Sequence, residues 1–344
     1  MARSAQIPTT VIGGFLGAGK TTLLNALIRG ETDRRLGVLV NDFGTINIDA
    51  DLVVGVEDNL ISLGGGCICC SIREDLTRSI IEMTQRVDAP DHLIVEASGV
   101  SDPAAIARAI SASHLRDVVS LDAVVVVVDA EAYLRAGLRE RVVTAGQLKA
   151  ADVVVLSKVD LLEPAELEAA RAKVRKRLPR ARVVAAERGK VPPALLLGIH
   201  SERIPEAGSF AVRLQPADNG EPEEDHTAAF ATWSYTTDVA LSARKLKRVV
   251  DRLPPTVFRA KGVVQLAGER THRAVLHVAG RRAELELGLP WGDAKPQSKL
   301  VFIGAQGSLD PGSLAQSLAE CEAPPGERRG GMMRWLRGAL QGQT

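Results

Sequence analysis

Long apolar runs are missing from this chain. The purest, residues 123–128, is far short of the roughly 20 residues that a helix needs to cross a bilayer. The N-terminus has one Arg followed by polar residues, without the apolar core of a secretory signal. A cytosolic location with no stable membrane association is the expectation. Aromatics are scarce at 3%, which argues against a surface built to stack on bases. Excess charge is absent as well: 43 Lys and Arg against 42 Asp and Glu leave a net +1. No global basic field exists, and no nucleic-acid partner is expected. Cysteine is rare, four in 344 residues, and three of the four (Cys67, Cys69, Cys70) fall within four positions. That spacing reads as metal or redox chemistry rather than a disulfide framework. What is present is ordinary, 45% hydrophobic and 25% charged. At roughly 150 residues per domain, this supports about two domains with sizeable cores.

Short β-branched runs at 9–12, 37–41, 93–96, 124–128, 153–156 and 183–185 alternate with helical patterns. Most are nearly continuous apolar stretches, as parallel strands covered on both faces require. A doubly wound α/β domain over residues 1–205 follows. One helix starts at Pro164, with Glu163, Glu166 and Glu168 early and Arg171, Lys173, Arg175, Lys176 and Arg177 late. That order complements the helix dipole, so these charges read as a solvated helix rather than a nucleic-acid face. Residues 206–227 form a polar acidic linker containing Glu221, Glu223, Glu224 and Asp225. Beyond it, strands at 230–236, 263–266, 274–278, 283–287 and 300–303, with a helix at 241–253, describe a smaller α+β domain over 228–323. A basic tail, 324–344, carries Arg328, Arg329, Arg334 and Arg337 and reads as a frayed terminus.

The strongest motif runs from Gly14 to Thr21 and fits G-x-x-x-x-G-K-[ST] between an expected strand and an expected helix. Gly14, Gly17, Ala18 and Gly19 let backbone N–H groups curl around phosphate oxygens, with Thr22 following in the helix. Lys20 is placed to reach the β- and γ-phosphates and the Thr21 hydroxyl to ligate Mg²⁺. At a later strand end, Ser157-Lys158-Val159-Asp160 is a variant of the N-K-x-D guanine motif. The Asp160 carboxylate can accept two hydrogen bonds from guanine, and adenine offers no such pair of donors. The Lys158 stem would pack over the ring. Glu96, closing the strand at 93–96, resembles a Walker B acid near Mg²⁺ and is the candidate catalytic carboxylate. Gly99 could let backbone sense a γ-phosphate. Asp129 reads as a cap or turn residue rather than a ligand.

Thiolates at Cys67, Cys69 and Cys70 are soft ligands suited to Zn²⁺, Cu⁺ or Co²⁺. On extended backbone Cys67 and Cys69 point the same way and Cys70 the other. The segment thus gives two thiolates easily and a third only if it bends. A closed structural zinc site wants four ligands, and an incomplete one suits transfer of a metal. Asp42 is a further candidate ligand. His114 and His226 read as solvated or capping residues. A set of inert cysteines and a redox C-x-C pair are the competing readings.

Taken together these residues resemble the CobW-type GTPases, metallochaperones related to the urease and hydrogenase maturation GTPases. The likeness includes the 13–24 segment, Asn41-Asp42-Phe43-Gly44 with Ile48-Asp49, Gly66-Cys67-Ile68-Cys69-Cys70, Glu96-Ala97-Ser98-Gly99 with Asp102-Pro103, and Ser157-Lys158-Val159-Asp160. In the second domain it includes Arg259-Ala260-Lys261-Gly262 and residues 300–304. The resemblance implies a P-loop sheet with a CobW C-terminal-like α+β domain and a slow GTPase. It further implies GTP-dependent binding of a divalent metal at the cysteine segment; ligand softness puts zinc first and cobalt second, and hydrolysis of GTP is expected to release the metal to a client protein. It leaves a nucleotide-dependent homodimer open. Three positions depart from the family: Asp42 stands for Glu, Ser157 stands for Asn, and the linker holds only His226. Two rival functions are a P-loop kinase, against which Asp160 argues, and a metal buffer or sensor with an incidental GTPase.

Overall fold

A computed structural model describes residues 6–30, 34–41, 60–63, 71–112, 114–197, 230–305, 310–323 and 336–337. Asp42, Ile48, Asp49, Cys67, Cys69, Cys70, His226, the 206–227 linker and all of the 324–344 tail except 336–337 lie outside them. Two compact units are present, with described residues 6–197 in the first and 230–337 in the second.

The first unit is built from β1 (Ile7–Gly14), α1 (Lys20–Arg29), β2 (Leu36–Asn41), β3 (Leu60–Leu63), α2 (Ser71–Thr84), β4 (His92–Glu96), α3 (Pro103–Ile110), β5 (Val119–Asp129), α4 (Ala130–Arg135), α5 (Leu138–Ala150), β6 (Val153–Ser157), α6 (Pro164–Arg177), β7 (Arg182–Ala186) and α7 (Pro193–Leu197). Its seven strands run in the order β3-β2-β4-β1-β5-β6-β7, and every pairing is parallel. The valines of β5 explain why. Val124, Val126 and Val128 enter the core formed with Ile80, Ile110 and Leu148. Val125 and Val127 point to the other face and are equally buried. Burial on both faces, about 1.5–3 kcal/mol per large apolar side chain, demands helices above and below, and crossover helices make the strands parallel. Helix α6 has the expected start: Glu163 and Glu166 form a capping box, and Pro164 follows at the first position.

Strand β5 begins five residues before the expected 124. Asp122 interrupts its apolar run, but the residue is buried at a register shift opposite Thr9 and Thr10 and accepts from the Thr10 hydroxyl at 3.3 Å. Strand β3 was not expected at all.

The second unit is built from β8 (Phe230–Thr237), α8 (Ala243–Asp251), β9 (Val257–Val264), β10 (His272–Ala279), β11 (Arg282–Pro290), β12 (Ser298–Ala305), α9 (Pro311–Ala319) and β13 (Leu336–Arg337). Its sheet order is β13-β11-β10-β9-β12-β8, antiparallel except for β13 beside β11. Leu246 and Val250 of α8 and Leu318 of α9 cover Leu276, Leu300 and Phe302 of the sheet. The expected strand at 263–266 is misplaced. The strand is Val257–Val264, and its polar residues Arg259 and Lys261 hid it from a reading by apolar runs. The expected helix 241–253 is shorter, because Leu241 makes a bridge to Leu266 instead. Helix α9, rich in Ser, Gly and Gln, was missed.

Candidate functional site

The loop after β1 lies at the middle of the parallel sheet, where the carboxyl ends of β1, β4, β5 and β6 come together. Open α/β sheets bind ligands at such a point. Gly14 leaves β1 with φ 144°, and a Cβ there would stand 2.3 Å from the Val127 carbonyl oxygen. No residue with a side chain fits beside β5 at this turn. Gly17 and Gly19 follow in left-handed conformations, φ 72° and 91°. Gly19 brings no side-chain cap to α1, and the first turn of that helix contains no acid. Its leading N–H groups and the positive end of its dipole therefore suit an anion.

Each expected side chain around this loop has a defined partner. Lys20 is buried and its Nζ donates to the Phe15 carbonyl oxygen at 3.3 Å, arching over the loop. The Thr21 hydroxyl donates to Glu96 Oε1 at 3.1 Å, and Glu96 is only 1% exposed at the end of β4. Two hard oxygens in contact fit Mg²⁺, which takes one or two protein oxygens and completes its shell with water and substrate phosphate. Gly99 lies in the turn after β4. A Cβ there would stand 2.7 Å from the backbone nitrogen of Leu16, so that turn touches the phosphate loop directly.

Ser157, at the end of β6, is tied to the loop. Its hydroxyl is 2.6 Å from the Ala18 carbonyl oxygen and 3.2 Å from that of Val128, joining the ends of β5 and β6 to the loop. Lys158 has φ 56°, a left-handed conformation that costs a residue with a side chain about 1–2 kcal/mol. Its Nζ lies 2.7 Å from Asp129 Oδ2. Asp129 is a cap, as expected, since its Oδ1 accepts from the Ala132 amide at 2.9 Å. It is also the counterion of Lys158. Asp160 is exposed in the 3-10 turn Val159–Leu161 that follows. Thr22 is exposed on α1.

Two contributors escaped the sequence reading. Gln147 of α5 is buried, and its side-chain amide donates to the Gly99 and Ser101 carbonyl oxygens, both at 3.1 Å. It fixes the turn after β4, and nothing in its local sequence announces that. The turn Glu187–Lys190 after β7 brings Gly189 so close to α1 that a Cβ would stand 2.7 Å from the Thr22 carbonyl oxygen. A glycine just past the last strand was the available signal. His114 is exposed and 3.4 Å from the Thr77 hydroxyl. Among the described residues no three His, Cys, Asp or Glu stand together as a metal site. No helix among them is long and apolar enough to cross a membrane.

The family model for the CobW/HypB/UreG nucleotide-binding domain matches residues 8–185, over half of the chain. The chain belongs to the CobW/HypB/UreG family. Membership makes this chain a P-loop GTPase. The model for the cobalamin synthesis protein cobW C-terminal domain matches residues 230–322. The "Zinc chaperone CobW" of Sinorhizobium sp is 30% identical over 335 residues, covering 88% of this chain and 94% of that protein. The "Zinc chaperone YjiA" of Escherichia coli is 28% identical over 308 residues, covering 87% and 94%. The crystal structure of Zn(II)-bound YjiA GTPase from E. coli aligns with 93% of this chain and 100% of its own, at 23% identity and a TM-score of 0.43.

Proposed function

We propose that this CobW/HypB/UreG protein is a GTP-dependent metallochaperone with a divalent metal as cargo, zinc before cobalt. GTP is held by the N–H groups of residues 14–19 and by Lys20, which leaves the Phe15 carbonyl for the β- and γ-phosphates. Thr21 and Glu96 would hold Mg²⁺, which would neutralise charge developing on the phosphates. Asp160 selects guanine, and Lys158 covers the ring. Gly99 offers backbone to the γ-phosphate. The cargo binds at Cys67 and Cys69, with Cys70 and Asp42 as further ligands, and is released to a client when GTP becomes GDP and phosphate. The Thr21–Glu96 contact at 3.1 Å carries the nucleotide half of this reading. The three clustered thiols and the naming of two relatives as zinc chaperones support the cargo half.

The test is a zinc titration against a chromophoric chelator, under reducing conditions, with Mg²⁺ and either GDP or a non-hydrolysable GTP analogue. A tightening of about tenfold or more with the analogue, about 1.4 kcal/mol of coupling, is expected, and so is its loss in Cys67→Ala. By linkage zinc then tightens GTP by the same factor. Equal zinc affinity in both nucleotide states would leave a metal buffer with an incidental GTPase.

A further inference from the structure

The second unit holds a groove of about 460 Å³ between α8 and α9 that the nucleotide chemistry does not use. Lys245, Arg248 and Arg252 line one wall at positions i, i+3 and i+7, a row about 10 Å long on a helix. Val249, Leu253 and Leu314 give the groove an apolar surface, and Ser313 and Ser317 stand on the α9 side.

Cations outnumber acids along the groove by three to two. Among the described residues none of the three cations has a carboxylate partner. Lys245 donates to the Glu322 backbone carbonyl at 3.1 Å. The acid of α8 itself, Asp251, pairs at 2.6 Å with Lys247, which does not line the groove. Two acids do line it, Asp310 and Glu320. Asp310 is engaged as the cap of α9, accepting from the Gly312 and Ser313 amides at 3.0 and 3.2 Å. Cys321 also lines the groove, and burial pushes its thiol up to about 11. At neutral pH it is a protonated thiol and a poor nucleophile.

We infer that it docks an acidic, amphipathic segment of a partner protein. Carboxylates of the segment face the cationic row, and a leucine-sized side chain enters the apolar surface. The spacing matches acids at i, i+3 or i+4, and i+7 of a helix. The chain's own tail, with Arg328, Arg329, Arg334 and Arg337, has the wrong sign to occupy it. That the partner is the client rests on the metallochaperone reading above; the chemistry of the segment does not.

The experiment is selection of a random peptide library displayed on phage against the full chain. Enriched peptides are expected to carry at least two acids flanking Leu, Ile or Phe. Their affinity should fall about tenfold or more in Arg248→Glu/Arg252→Glu, which alters two exposed side chains, with GTP turnover unchanged. Ser313→Trp, filling the groove from the other wall, should do the same. Enrichment without acids, or binding indifferent to both variants, would overturn the inference. So would a rise of about tenfold in peptide affinity when Glu221, Glu223, Glu224 and Asp225 become amides, because the chain's own linker would then be the occupant. Peptide binding that persists while zinc shows no coupling to GTP would remove the client and keep the groove.

Discussion

In the first unit Lys20, Glu96, Gln147 and Ser157 are 8%, 1%, 3% and 5% exposed, and each has a hydrogen-bond partner near the strand ends. In the second unit Arg248 and Arg252 stand exposed along a groove, away from any carboxylate partner among the described residues. A polar group withdrawn from water is costly unless it is paired, so a buried set persists only where its geometry is fixed. Such a set is ready to meet charge without rearranging. Cations left in water cost little, and they steer and select a partner rather than perform chemistry. Placement alone separates a reaction site from a recognition site.

The largest expected effect tests the first half of that contrast. Lys20→Ala should lower GTP turnover by about 10²–10³ while the melting temperature hardly moves; single-turnover hydrolysis and a thermal scan decide it. Asp160→Ala comes next. It should erode the preference for GTP over ATP by about 10- to 100-fold, the worth of a charge-assisted hydrogen-bond pair, as competition binding would read. Asp129→Asn keeps the cap on α4 but weakens the hold on Lys158. A loss of about fivefold in GTP affinity is expected, since the pair is partly exposed, and unchanged affinity would reduce Asp129 to a cap.

The last prediction lies in the second unit and concerns stability rather than activity. The Cys321 thiol is raised to about 11 in the fold by burial, against about 8.5 in an unfolded chain. Between those values the unfolded state has lost its proton and the native state has not. Stability is therefore full below about pH 8.5 and falls as pH rises, by at most about 1.4 kcal/mol per unit. Cys321→Ala should flatten urea midpoints over that window while leaving GTP turnover alone.

The same contrast explains what could be read in advance. The glycines, Lys20, Thr21 and Asp160 stand out in sequence because they belong to short patterns of fixed residue types at fixed spacing. Glu96 and Asp129 are legible as acids at the ends of apolar strands. Gln147 and the Gly189 turn are not, because their roles depend on contacts with Gly99 and Thr22, distant in the chain. The groove is likewise invisible in sequence: Lys245, Arg248 and Arg252 look like any solvated helix face until Ser313 and Ser317 are placed opposite. Strand β9 was displaced in the reading because Arg259, 3% exposed, breaks an apolar run while remaining inside.

Gly99 sets a limit on how this chain can drift. A side chain at that position collides with Leu16 at its Cδ2, 2.6 Å away, and at its backbone nitrogen, 2.7 Å away. Shrinking Leu16 first would clear the methyl and leave the nitrogen where it is. No compensating substitution at position 16 opens position 99, so the order in which mutations arrive makes no difference. The two loops can diverge only by moving together, and a lineage that keeps this approach has one residue available there.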